Sequence, residues 1–104
     1  MTYTIQFTKK ADKDFSHLDR IEMKKAAQAI AKLTTDPYLG HPLTGKLNGA
    51  RSLEFSAPGG AYRAAYVVRD DFERIVIFMI GSHEGFYAEA ERRYEALNDL
   101  NQID

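Results

Sequence analysis

The sequence predicts an α+β fold. A small antiparallel sheet combines an N-terminal strand with a three-strand meander, a helical hairpin separates them, and a C-terminal helix follows. Three observations predict it. Thr2–Thr8 alternates apolar and polar residues with period two. Lys9–Asp36 and Glu84–Leu97 carry apolar residues at helical spacing. Arg51–Glu84 reads RSLEFSAPGGAYRAAYVVRDDFERIVIFMIGSHE, three β-type runs joined by two turn signals.

In Thr2–Thr8, Tyr3, Ile5 and Phe7 share one side, which makes a half-buried strand. Thr8 is placed to cap the next element. Ala11, Phe15 and Leu18 recur at i, i+4 and i+7, so a short amphipathic helix runs from Lys9 to about His17. Asp19 and Glu22 form a capping-box pattern that opens a second helix. Its apolar stripe is Met23, Ala26, Ala27, Ile30 and Leu33. Asp36-Pro37 ends it, because the residue before proline is driven out of the α region. The short link makes the two helices a hairpin, and the alanines suit close packing on a sheet. Tyr38–Ala50 (YLGHPLTGKLNGA) is broken by Gly40, Pro42, Gly45 and Gly49 and is expected to be a loop over Leu39, Leu43 and Leu47.

The meander begins with Arg51–Ala57, where Leu53 and Phe55 alternate with Ser52, Glu54 and Ser56. After the Pro58-Gly59-Gly60 turn, Ala61–Arg69 sets Tyr62, Ala64, Tyr66 and Val68 against Arg63, Ala65 and Val67. Asp70–Glu73 turns the chain again. Arg74–Gly81 is apolar on both faces, with Ile75, Ile77 and Met79 against Val76, Phe78 and Ile80, as an interior strand requires. Ser82 is placed to cap a last helix from Glu84 to about Leu97, striped by Phe86, Ala90, Tyr94 and Leu97. The closing residues NDLNQID are expected to fray.

A length of 104 residues suits one domain, 1–104, able to bury roughly 65% of its unfolded surface. With no cysteine, neither a disulfide framework nor a thiolate metal site is available. The start MTYTIQFTKK has no apolar signal core, and no run approaches the ~18 apolar residues of a membrane helix. The expected location is the cytoplasm, with no membrane partner. Net charge is −1 but uneven: residues 1–69 hold 11 Lys/Arg and 6 Asp/Glu, and residues 70–104 hold 3 and 9. A basic body can engage phosphate while an acidic tail resists it. The same distribution also fits ordinary solvated faces.

Glu54, Arg63 and His83 each lie in or just beyond one strand of the meander, so antiparallel pairing can bring them together. Glu54 is a candidate general base; its position equally suits a solvated strand face with an ion pair to Arg63 or Arg51. Arg63 is a candidate phosphate ligand, because its guanidinium fork keeps its charge. His83 is a candidate proton donor to a leaving group, or a loop histidine without a task, the reading given to His17 and His41. Tyr87 and Phe86 open the last helix and can serve a base or phosphate; Phe86 also suits the core. Lys46, Arg51 and Tyr38 are candidates to line an RNA approach. Neither a metal nor a cofactor is expected: the chain has no His pair at i, i+4, no Asp-rich loop, no GxGxxG, P-loop or GxSxG pattern. A base, a cation and an acid without a metal suit phosphodiester transfer, for which RNA supplies its own 2′-OH.

The element order, together with YTIQFTKKADKDF, DPYLGHPLTGKLNG, YRAAYVV and VIFMIGSHEGFYAEAERR, resembles the RelE/ParE superfamily of bacterial toxin–antitoxin toxins across nearly the whole chain. The resemblance implies a RelE-like antiparallel sheet with packed helices and a cognate antitoxin that covers the active surface and sets the oligomeric state. For RelE-type members it implies metal-independent mRNA cleavage on the ribosome. By the same likeness Arg63 matches the arginine of the YR strand, His83 a histidine acid or base of YoeB-like members, and Tyr87 a terminal-segment tyrosine. Where RelE has lysines on the first meander strand this chain has Ser52 and Glu54, which favours a glutamate base. Two other functions share the fold: a ParE-like inhibitor of DNA gyrase with no nuclease activity, and an inactive relative that only binds its antitoxin.

Overall fold

The computed structural model describes residues 2–82 and 84–103, with 99–103 by backbone alone. Strands β1 (Thr4–Phe7), β2 (His41–Pro42), β3 (Arg51–Ala57), β4 (Gly60–Arg69) and β5 (Arg74–Gly81) form one sheet of order β1-β5-β4-β3-β2. Helices α1 (Lys9–Ser16) and α2 (Arg20–Ala31) lie between β1 and β2, and α3 (Phe86–Ile103) follows β5. The meander pairs antiparallel, as expected from its turns, while β1 joins β5 in parallel with Ile5 opposite Ile75. That is a detail alternation alone does not carry. The segment expected to be all loop contains β2, which pairs with Arg51 and Ser52, and a 3-10 turn at Gly45–Leu47.

Two of the three expected caps form, while the last helix begins at Phe86 and not Glu84, which leaves Ser82 four residues before its first turn. Thr8 accepts the Ala11 N–H, and Asp19 and Glu22 form a complete capping box. The hairpin α1–α2 covers one sheet face, burying Ala11, Ile30 and Leu33 against Leu53, Ala64, Tyr66, Ile75, Ile77 and Ile80. Helix α3 covers the other, burying Phe86, Ala90 and Tyr94 against Ala65, Val67, Phe78 and Met79. Two boundaries differ from expectation. Ala27 is exposed, the stripe running through Ala26, Ile30 and Leu33, and α3 continues past Leu97 to Ile103.

The faces of β5 also differ from strict alternation. Ala65 pairs with Met79, but Tyr66 pairs with Ile77, so Phe78 is an extra residue, a β-bulge. Beyond it the faces exchange. Met79 joins Phe78 on the α3 side, and Ile80 joins Ile75 and Ile77 on the hairpin side. The bulge therefore turns Gly81 toward the α3 face, opposite Arg63.

β1 stops at Phe7, opposite Ile77, and leaves the outer edge of β5 without a strand partner beyond that point. Side chains complete it. Asp14 on α1 accepts the Ile80 N–H at 3.0 Å, and Arg93 on α3 donates to the Phe78 carbonyl at 3.1 Å. The two residues also pair with each other at 2.7 Å, with side chains 20% and 14% exposed. Arg93 additionally bonds Glu89 at 2.9 Å. This knot satisfies backbone groups that would otherwise be orphaned, and it ties both helical layers to one strand.

Two predictions follow from these features. Glu73 closes the β4–β5 turn at φ +49°, ψ +51°, left-handed backbone that costs a side-chain-bearing residue about 1 kcal/mol. Glu73→Gly is expected to raise Tm by a few degrees in a calorimetric scan. Arg93→Ala leaves the Asp14 carboxylate with no cation and the Phe78 carbonyl without its side-chain donor, and is expected to cost about 3 kcal/mol. Arg92→Ala, whose side chain is 71% exposed, should cost under about 1 kcal/mol, and urea melts of both variants check the difference.

Candidate functional site

The register sets Glu54, Arg63 and Gly81 side by side across β3, β4 and β5. All three belong to the α3 face, because Ser52 and Ala65 stand opposite each other one step along and Ala65 packs under α3. Arg63 Nε lies 3.4 Å from Glu54 Oε2. The contact is an ion pair by distance only: Nε–H is shut off from water and makes no hydrogen bond among the described residues.

Helix α3 supplies the opposite wall. Gly85, at φ +81°, takes a backbone turn that suits glycine and delivers Phe86 to the core. Gly81 is closely packed: a Cβ there would come within 3.2 Å of the Phe86 ring, which would have to give by a few tenths of an ångström. With Phe86 anchored, the next residue projects outward. The Tyr87 ring is 38% exposed and lies over the Arg63 guanidinium, 5.6 Å from centroid to Cζ. The resulting cleft, of about 510 Å³, is lined by Ala61, Arg63, Ser82, Glu84, Tyr87 and Ala88, among others. Glu54, with its side chain 56% exposed, stands at the edge and faces the neighbouring groove along Ser52–Ser56.

The structure therefore brings Glu54, Arg63 and Tyr87 together. His83 lies outside the described residues. Ser82 and Glu84 line the cleft and are not among the site residues the sequence predicts. Their signal in the sequence was position, immediately after a strand whose end faces Arg63.

Three residues expected to contact RNA do not line this cleft as exposed groups. Phe86 is 1% exposed, with its ring in the core beside Ala90 and Met79, so it has no face to offer a base. Arg51 donates from Nε and Nη2 to the Gly40 carbonyl, from Nη2 to the Tyr38 carbonyl, and stacks on the Tyr38 ring at 5.1 Å. It is a strut for the loop before β3. Lys46 is exposed but lines a separate cleft with Arg92 and Tyr94.

The same loop is fastened by an acid. Tyr3 donates to Asp70 Oδ1 at 2.7 Å, and Tyr38 donates to Oδ2. These two donors hold the Asp70 carboxyl below its ordinary range, and the hydrogen bond to Asp70 pushes the Tyr3 phenol up to about 12. Among the described residues no helix is long and apolar enough to cross a membrane, and no group of three or more His, Asp or Glu could hold a metal ion.

A family model described as the ParE-like toxin of type II bacterial toxin–antitoxin systems matches residues 5–91. Solved structures agree. The toxin–antitoxin complex RelBE2 of Mycobacterium tuberculosis aligns over 80% of this chain and 100% of that chain, at 30% identity and TM-score 0.63. A mutant of the Escherichia coli toxin RelE in the free state aligns over 88% and 94%, at 18% identity and TM-score 0.72. The YoeB/ParE toxin of Agrobacterium tumefaciens aligns over 77% and 98%, at 20% identity and TM-score 0.62. Among curated protein sequences none matches. The chain belongs to the ParE-like toxins of type II toxin–antitoxin systems, within the RelE/ParE superfamily.

The Asp70 clamp makes a pH prediction. A phenol whose folded pKa is raised stabilises fully below about pH 10 and loses that stabilisation as pH rises through about 12. The difference in denaturant midpoint between wild type and Tyr3→Phe should be constant near neutrality and close between those two pH values. A gap unchanged at the alkaline end would contradict the clamp.

Proposed function

We propose that this toxin is a ribosome-dependent mRNA endoribonuclease that uses the substrate's 2′-OH as nucleophile and requires no metal ion. The observation that carries the reading is Arg63, set between the Glu54 carboxylate at 3.4 Å and the Tyr87 ring at 5.6 Å, on the wall of an open cleft. Glu54 takes the 2′-OH proton, and the 2′-oxygen attacks the adjacent phosphorus. The P–O5′ bond breaks, giving a 2′,3′-cyclic phosphate and a 5′-hydroxyl. Arg63 binds the non-bridging oxygens and the charge that grows on them. The departing 5′-oxygen receives its proton from His83, a role that rests on its place in the sequence two residues beyond Gly81. Tyr87 orients a base by stacking. Like the RelBE complexes it resembles, the toxin pairs with a cognate antitoxin, which covers this cleft and sets the oligomeric state.

Mapping mRNA ends after induction in cells tests the proposal. Wild type is expected to produce new 5′ ends within translated messages. Arg63→Ala should reduce them by roughly 10²-fold or more, and Glu54→Gln by a similar factor, while both variants still bind antitoxin. A DNA-damage response with intact mRNA would instead identify a gyrase inhibitor. Harmless expression without antitoxin would identify an inactive relative.

A further inference from the structure

The α3 face of the sheet carries a second group of arginines that the candidate site does not use. Arg69 and Arg74 stand directly opposite each other where β4 and β5 meet their turn. They share the face of Val67 and Val76, which pair one step along, and Thr4 and Gln6 of β1 continue the two rows. The region lies at the Leu97 end of the helix. A cleft of about 490 Å³ opens there, lined by Gln6, Thr8, Arg69, Phe72, Arg74 and Leu97.

Among the described residues no carboxylate lines this cleft and neither arginine makes an ion pair. Asp70, next to Arg69, is engaged on the hairpin side by Tyr3 and Tyr38. Like charges on directly paired strand positions repel, so the arrangement costs stability until an anion sits between them. Phe72 adds a second feature. It is 68% exposed, with the Arg74 guanidinium 5.8 Å from the centre of its ring. A bare aromatic at a turn, beside two forked cations and the amide and hydroxyl of Gln6 and Thr8, matches the recognition of a phosphodiester backbone with an unstacked base.

We propose that Arg69, Arg74 and Phe72 form a second RNA-backbone site, separate from the cleavage cleft. It rests on the reading of this toxin as a ribonuclease. Arg69 lies six residues beyond Arg63 on the same face of β4, about 20 Å at a strand's rise. The site thus grips RNA at a distance from the scissile phosphate and raises affinity without taking part in chemistry.

The test uses full-length protein carrying Arg63→Ala, which suppresses cleavage, and a fluorescent single-stranded RNA titrated at several salt concentrations. Adding Arg69→Ala and Arg74→Ala should weaken binding roughly tenfold or more at low salt and lower the slope of log K against log salt by about 1.4, the value for two single-strand phosphates. Phe72→Ala should weaken binding roughly tenfold with the slope unchanged. Thermal melts should show the arginine variants at least as stable as the parent, since a repulsive pair has been removed. Unchanged affinity and slope would overturn the site. Competition by polyglutamate as strong as by RNA at equal ionic strength would also overturn it, in favour of an acidic protein partner. With Arg63 restored, cleavage of ribosome-bound message is read separately. If Arg63→Ala itself still cleaves, the catalytic assignment fails while the binding result stands on its own.

Discussion

The bulge at Phe78 is the constraint on which the site depends. β5 is apolar from Ile75 to Ile80 and must be covered on both faces. One extra residue exchanges those faces halfway along the strand. Before it, Ile75 and Ile77 feed the hairpin side; after it, Ile80 does, and Met79 stays with Phe78 under α3. Gly81 consequently arrives beside Arg63 rather than on the opposite face. Its missing side chain leaves space for Phe86, Phe86 holds the start of α3, and Tyr87 is thereby carried over the Arg63 guanidinium. Without the extra residue the same sequence would turn the end of β5 toward the α1–α2 layer.

The truncated edge of β5 shows a related economy. β1 is too short to pair with the whole strand, and Asp14 and Arg93 complete the hydrogen bonding from two different helices. A side-chain carboxylate and guanidinium here replace a strand's carbonyl and amide. The substitution also fixes α3 against α1 around the edge of the sheet. The helix that bears Tyr87 is therefore held at one point by the Phe86 ring in the core and at another, two turns on, by an ion pair. Its position over the cleft is a consequence of how the sheet's edge is finished.

Much of this was legible in the residues. The period-two alternation of β1, the capping box at Asp19, the Pro-Gly-Gly turn and the order of elements all rest on local chemistry, and all appear in the structure. That Glu54 and Arg63 can meet was legible, because a hairpin can bring them to one face; the register that sets them directly opposite, and not Glu54 beside Arg51, was not. The bulge was not. Every residue from Ile75 to Ile80 is apolar, so no polar position marks where the alternation slips. Nor was the Asp14–Arg93 knot, since the two residues lie 79 apart in sequence and each looks like an ordinary helix-surface charge. The strut role of Arg51 was not legible for a similar reason. Its partners are backbone carbonyls of a loop, which carry no side-chain signature.

The electrostatics of the cleft decide whether a net charge of −1 opposes RNA binding. Exposed ion pairs are worth little, typically under about 1 kcal/mol, and the Glu54–Arg63 contact is of that kind, with side chains 56% and 28% exposed. A phosphate that offers two acceptors to one guanidinium displaces such a partner at small cost. On the proposed reading, the pair would hold both side chains near each other rather than neutralise them. Acidic residues elsewhere act across water and are screened beyond about 8–10 Å at physiological salt. A phosphodiester entering the cleft would meet the local surface: Arg63 beneath Tyr87 with Glu84 on the same lining, and Arg69 and Arg74 farther along the same sheet face. The acids of the β4–β5 turn leave that surface clear, Asp70 being held on the other side by two tyrosines and Asp71 and Glu73 lying outside the second cleft. Local placement, not the sum over the chain, sets the affinity of this face for an anion.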